Sequence, residues 1–186
     1  RVHKMWESIR VGGVSGVYGA ANGALWTKTG ASPGDQLILT KPLGTGVLFA
    51  GHVQLAADGR DVSAGISSML QGNGAAAELA LAHGATACTD ITGFGLLGHL
   101  LEMLAQEHAA RLDLSALPLL NGAIEQILAG TVSTMHASNV RANEPFLECT
   151  ASVDEARRQM LFDPQTSGGL LIAIPAHCAL AVCEAL

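Results

Sequence analysis

The chain is short of charge, of basic residues and of aromatics, and each shortage removes a class of function. Charged residues make up 14% of the 186, against roughly 25% in an ordinary soluble domain. Lys and Arg number 10 against 16 Asp and Glu, a net charge of −6. Proteins that grip nucleic acid carry a basic patch to meet the phosphates, so nucleic-acid binding is set aside. Aromatics are only 4%, so any core must be built from small and aliphatic side chains. Neither a G-X-Y period nor sustained heptads appear, which excludes collagen and coiled coil. No membrane span is expected: the uncharged run between Arg10 and Lys28 is broken by Gly12, Gly13, Gly16, Gly19 and Gly23. No basic start leads into an apolar core and a cleavage site, so no secretory leader is expected, and the reading is cytoplasmic. Cys88, Cys149, Cys178 and Cys183 lack C-x-x-C spacing and read as reduced thiols. There is no H-E-x-x-H and no Cys/His cluster to suggest zinc.

What is present is 49% hydrophobic residues and 22 glycines, a composition that can bury a core. Residues 1–10 suggest a short helix or a tail, and residues 11–30 a Gly-rich linker. Ordered structure is expected from about residue 31. Short apolar runs at 36–40, 86–89, 111–114 and 170–174 read as strands. Helical patterns fall at 45–57, 61–70, 73–83, 93–108, 122–129, 153–160 and 177–186. The strongest is 93–108, where Leu96, Leu97, Leu100, Leu101 and Leu104 form one stripe. Residues 131–150 give no clear period. Gly84 and Gly130 sit where helix ends need glycine. Strands alternating with helices argue for an α/β or α+β layered domain.

Three segments carry the chemistry. The first, residues 85–101 (ATACTDITGFGLLGHLL), runs strand, polar turn, helix. Asp90 closes the strand, and Thr92, Gly93, Gly95 and Gly98 follow. The small residues permit close approach to a ligand, and a helix N-terminus offers N–H groups to an anion. A carboxylate there repels bare phosphate but can hold a divalent cation that bridges phosphate oxygens. Two other readings stand beside this one. Gly93-x-Gly95-x-x-Gly98 has the spelling of a dinucleotide fingerprint, with Asp113 about 20 residues on as a ribose-binding acid. Alternatively, the glycines serve helix–strand packing and Asp90 caps the helix.

The second segment is LFDPQTSGGLL, residues 161–171. Pro164 pins a turn, Gly168-Gly169 allow unusual backbone angles, and Thr166 and Ser167 can donate to a phosphate; pure turn chemistry is the alternative. The third is LTKPLGTG, residues 39–46. Lys41 at a strand end before a Gly-rich helix start can hold a phosphate or simply face solvent, and the P-loop order is absent.

Together, LTKPLGTGVL (39–48), ACTDITGFGLLGHL (87–100) and LFDPQTSGGLL (161–171) resemble the carboxy-terminal domain of the selenophosphate synthetases (selenide, water dikinases). These belong to the aminoimidazole ribonucleotide synthetase-like superfamily. Shorter stretches, among them LDLSALPLL (112–120), are similar to the version fused to a pyridine-nucleotide oxidoreductase. The resemblance covers residues 31–186, with residues 1–30 a linker or the remnant of an amino-terminal domain. It implies a three-layer α/β/α domain, partly ferredoxin-like. It implies a reaction in which ATP, selenide and water give selenophosphate, AMP and phosphate, with Mg²⁺ and in a homodimer. Asp90 would be the metal ligand; Thr92, Gly93, Gly95, Thr166, Ser167 and Gly168 would line the nucleotide. The family's catalytic Cys and Lys segment and its other metal aspartates have no match here, so no catalytic residue is assigned. The expectation is a domain that covers the Mg-ATP site and is inactive alone. The alternative is a non-catalytic association domain.

Overall fold

The computed structural model describes residues 26–105, 108–149 and 153–186, and the backbone of 9–11 and 14–16. Ile9–Val11 (β1) and Val14–Gly16 (β2) pair antiparallel. This corrects the helical reading at the end of residues 1–10: β-branched Ile9, Val11 and Val14 favour strand. The rest of the expected linker up to residue 25 lies outside the described residues.

The main sheet has three strands, Asp35–Leu39 (β3), Ala87–Asp90 (β4) and Leu170–Pro175 (β5). Their order is β3-β5-β4, and both pairings are antiparallel. The strand latest in sequence is therefore central, and it is the most apolar. Side chains along β5 alternate between two cores. Leu171 and Ala173 enter the larger one, with Ala87, Leu96, Leu97, Leu100 and Met160. Leu170, Ile172 and Ile174 enter the smaller one, with Ile38, Ala80 and Val182. A strand buried on both faces reads as a continuous apolar run, as residues 170–174 do. Each fully buried Leu or Ile contributes on the order of 1.5–3 kcal/mol.

Helices cover both faces. The larger core lies under Thr45–Val53 (α1), Gly95–Leu104 (α4), Ala123–Leu128 (α5) and Glu155–Met160 (α7). Gly59–Leu70 (α2) packs on α1, and His136–Asn143 (α6) packs on α4. The opposite face carries Gly74–Ala82 (α3) and Ala176–Ala185 (α8). The result is three α/β/α layers. Asp58 and Asp154 cap α2 and α7 through backbone N–H groups of Arg60 and Arg157. Gly84 and Gly130 adopt positive φ just past α3 and α5, as expected of helix stops. No described helix is long and apolar enough to cross a membrane.

Three expectations need correction. Residues 111–114 form no strand; a single 3-10 turn, Leu114–Ala116, stands there. Asp113 caps it, accepting from the Ser115 N–H and hydroxyl at 2.9 and 2.7 Å. That local bond outcompetes a short alternating run. The helix expected over 93–108 spans only Gly95–Leu104, ending where Ala105 turns left-handed. The stretch 131–150 contains α6 and a 3-10 turn, Glu144–Phe146. The helix hides from periodicity because it is polar: only His136 and Asn139 are buried within it.

Candidate functional site

The sheet register brings the three segments to one end. Asp90 pairs with Leu170. The Ile91 N–H then donates to Gly169 O at 2.9 Å, and the Gln165 N–H to Thr92 O at 2.9 Å. On the other side of β5, the Thr40 N–H donates to Leu170 O at 3.0 Å. The Leu170 N–H answers onto the Thr40 hydroxyl at 2.8 Å. Residues 40–41, 90–93 and 165–169 are thus stitched together although they are far apart in sequence.

Asp90 is exposed at the rim. Burial first, and then the Asp90 carboxylate, push the Cys88 thiol up to about 11, which disfavours its thiolate at neutral pH. Thr92 and Gly93 are half-buried beside Asp90. Thr166 and Ser167 are exposed, with Gly168 buried behind them. Ser167 adopts φ +48, an uncommon left-handed conformation for a residue with a side chain. Neighbours hold it there. The Ser167 carbonyl accepts from the Lys41 ammonium at 3.0 Å, and the Gly168 carbonyl from the Asn73 amide at 3.0 Å. With both carbonyls turned inward, the hydroxyls of Thr166 and Ser167 face out. They have no hydrogen-bond partner among the described residues.

Lys41 therefore matches neither expectation made for it. It is 6% exposed, so it does not face solvent. Its ammonium donates to Gln71 O at 2.6 Å and Ser167 O at 3.0 Å rather than standing free for a phosphate. Burial pushes its pKa below the usual lysine range.

The helix start after Lys41 is also taken. The first-turn N–H groups of α1 are satisfied from residues 163–165. The Gln165 amide oxygen accepts from Gly44 N at 3.0 Å, Thr45 N at 3.2 Å and the Thr45 hydroxyl at 3.1 Å. The Asp163 carboxylate accepts from Gly46 N at 3.1 Å and from the Gln165 amide at 2.8 Å. A carboxylate fits a helix N-terminus, where unpaired N–H groups carry partial positive charge. Asp163 is wholly buried, and burial pushes its pKa up to about 7 against the pull of those donors.

The start of α4 is partly occupied by the chain itself, so not all of its N–H groups stand free as expected. Gly95 N donates to Thr92 O at 3.1 Å and Leu97 N to Leu161 O at 3.0 Å. Gly95 adopts φ +72, and a Cβ there would stand 2.9 Å from the carbonyl oxygen of Leu161. Its smallness serves contact with the chain itself. Gly168 is similar: a Cβ would lie 2.1 Å from Ile91 O. The dinucleotide reading is withdrawn. The main sheet is antiparallel throughout, giving no parallel βαβ unit among the described residues, and the Asp113 carboxylate is engaged with Ser115.

The groups left exposed here are the Asp90 carboxylate and the hydroxyls of Thr166 and Ser167, while the half-buried Thr92 hydroxyl lies 3.2 Å from Nε2 of His99. These are hard oxygen donors, the set that suits Mg²⁺ and phosphate oxygens rather than a soft metal. Among the described residues no three His, Cys, Asp or Glu side chains cluster to hold a metal. Sequence reasoning passed over Asn73, Asp163 and Gln165 as site builders. The signal for the last two was the flanking of Pro164 by two side chains able to accept from a helix start.

With this geometry in place, comparison with known proteins adds a family. The model described as AIR synthase related protein, C-terminal domain, matches residues 32–186. Three curated relatives are named selenide, water dikinase. That of Trichlorobacter lovleyi is 44% identical over 159 residues, covering 83% of this chain and 45% of the relative. That of Carboxydothermus hydrogenoformans is 42% identical over 142 residues, covering 76% and 41%. That of Bdellovibrio bacteriovorus is 35% identical over 165 residues, covering 87% and 47%. The chain thus spans a little under half the length of the curated relatives it matches. Among solved structures, thiamine-monophosphate kinase from Stenotrophomonas maltophilia superposes with a TM-score of 0.56 at 19% identity, covering 86% of this chain and 45% of that one. That likeness is one of fold.

Proposed function

The chain belongs to the AIR synthase related family through its C-terminal domain, and from that premise we propose that it is the carboxy-terminal domain of a selenide, water dikinase. Its task is to cover bound Mg-ATP. The observation that carries this is the convergence of Asp90 with the Thr166–Gly169 turn, fixed by the pairing of Asp90 with Leu170.

The chemistry follows from the donor set. The Asp90 carboxylate would hold a Mg²⁺ ion, and the hydroxyls of Thr166 and Ser167 would donate to phosphate oxygens. Bound there, the cation would neutralise charge on the transferring phosphoryl group. One carboxylate is too few for a Mg²⁺–polyphosphate site, so the remaining ligands come from the other half of the protein. We assign selenide and ATP as substrates, a homodimer as the working form and the cytoplasm as the location. We assign no catalytic residue to this chain.

The test follows phosphorus NMR of ATP, Mg²⁺ and selenide. The complete protein carrying this chain is expected to form selenophosphate, AMP and phosphate. Replacing Asp90 by Ala should cut turnover by more than about 100-fold, beyond the usual cost of disturbing an outer partner of a metal ligand. The 186-residue chain alone should form no selenophosphate; turnover by it would overturn the assignment. Calorimetric heat on adding Mg-ATP to the chain, abolished by Asp90→Ala, separates a nucleotide half-site from a pure association domain.

A further inference from the structure

Thr45 and Thr166 stand 121 residues apart, yet they meet in a hydrogen bond that the function above does not use. The Thr166 N–H donates to the Thr45 hydroxyl oxygen at 2.9 Å. Thr45 is 2% exposed and Gln165 5%, whereas Thr166 is exposed. A buried group at the start of α1 thus holds the backbone of a surface residue.

Donor and acceptor chemistry fixes every direction in this contact. A backbone N–H only donates, so the Thr45 oxygen is an acceptor toward Thr166. The Gln165 amide cannot be turned around. Its oxygen takes the backbone N–H groups of Gly44 and Thr45, and its nitrogen donates to the Asp163 carbonyl oxygen at 2.9 Å. The Thr45 hydroxyl lies 3.1 Å from that amide oxygen and donates its one proton to it. With the proton aimed at Gln165, the Thr45 oxygen keeps its lone pairs for the Thr166 N–H.

The contact has two consequences for the site. The Thr166 N–H is spent inside the fold, so the hydroxyl is the donor that Thr166 keeps for a phosphate oxygen. The backbone on either side of it is tied as well. The Gln165 N–H bonds to Thr92 O at 2.9 Å, next to the Asp90 turn, and the Ser167 carbonyl to Lys41 at 3.0 Å. Among the described residues, Thr45 provides the one tie on Thr166 itself.

We propose that Thr45 is a positioning residue for nucleotide binding: it touches no phosphate and acts by holding Thr166, so that the Thr166 hydroxyl meets a phosphate held beside Asp90. This rests on the Mg-ATP reading above and adds to it a residue from the start of α1.

The complete protein tests this through its affinity for a non-hydrolysable ATP analogue with Mg²⁺, measured by calorimetry. Thr45→Val keeps the shape and removes the hydroxyl. It should raise the dissociation constant by about tenfold or more, the worth of one hydrogen bond to a charged group. Thr45→Ser, which restores the oxygen, should bring the constant back to within about twofold of wild type. Thr166→Val, which keeps the N–H and removes the presented hydroxyl, should also cost about tenfold. The double variant separates positioning from general support of the fold. If Thr45 acts through Thr166, the second replacement adds nothing, and the double variant binds as Thr166→Val does. Losses that multiply would overturn the proposal, and so would wild-type affinity in Thr45→Val beside weakened binding in Thr166→Val; both leave the Mg-ATP reading standing. Wild-type affinity in Thr166→Val overturns the proposal too, and if Asp90→Ala also binds as wild type, the Mg-ATP reading falls with it. A second measurement needs no variant and no nucleotide. In hydrogen exchange read by NMR, the Thr166 amide should be protected although the residue is exposed. Exchange at the rate of a free loop amide would show that Thr45 does not hold it.

Discussion

The ammonium of Lys41 donates to the carbonyl of Ser167 across 3.0 Å, and in doing so a residue at the end of β3 sets the outward pose of a turn before β5. The same ammonium ties Gln71 O, at the end of α2, to that turn. Replacing Lys41 by Met removes the donor of two carbonyls on exposed residues, which water can partly replace, so the loss is that of ordinary hydrogen bonds, about 0.5–1.5 kcal/mol each. Lys41→Met is therefore expected to lower stability by about 1–2 kcal/mol, read from the urea unfolding midpoint. The released Ser167 should also raise the dissociation constant for Mg-ATP. A variant with unchanged stability and unchanged nucleotide affinity would show that Lys41 holds nothing.

Asp163 predicts a pH dependence of stability. Its pKa in the fold is about 7, raised by burial above that of an ordinary carboxyl. Between about pH 4 and pH 7 the folded chain keeps a proton that the unfolded chain has released. Stability should therefore fall as pH rises through that window and level off above pH 7. The loss should be at most about 4 kcal/mol, at roughly 1.4 kcal/mol per unit. Asp163→Asn, which cannot ionise, should flatten this part of the profile. Urea unfolding at pH 5 and pH 8 measures it. A wild-type and a variant profile of equal slope would contradict the assignment.

Gly168 is expected to tolerate no side chain. An alanine Cβ would meet the Ile91 carbonyl at 2.1 Å, and that oxygen belongs to backbone just past β4. Either residues 165–169 or residues 90–92 must move. Gly168→Ala should thus destabilise by roughly 1–3 kcal/mol or more, as overpacking does, and weaken Mg-ATP binding with it. Differential scanning calorimetry and a nucleotide titration give the two readings. Gly34→Ala is the comparison at a glycine with open space around its Cβ position. Its φ of +95 costs strain, but it displaces no neighbour.

Much of the fold was legible. The strands at 36–40, 86–89 and 170–174 were found to within a residue or so, because burial on one or two faces writes itself into local apolar pattern. The leucine stripe of α4 was legible for the same reason. The polar α6 was not, since it docks through His136 and Asn139. The Asn139 amide donates to the carbonyls of Gly93 and Phe162 at 2.9 and 3.0 Å. Nor was the false strand at 111–114, where Asp113 bonds to its own neighbour Ser115.

The sequence by itself determined which residues are available for chemistry. It put Asp90 at a strand end and placed hydroxyls and glycines around it, because side-chain type and local turn chemistry are properties of short segments. Only the tertiary structure decided which polar groups are free. The N–H groups at the start of α1 go to Gln165 and Asp163, the Lys41 ammonium goes to two carbonyls, and the Thr92 hydroxyl is bonded to His99. Each of these bonds joins groups that only folding brings within about 3 Å. A hydrogen bond acts over that distance in space and is blind to separation along the chain.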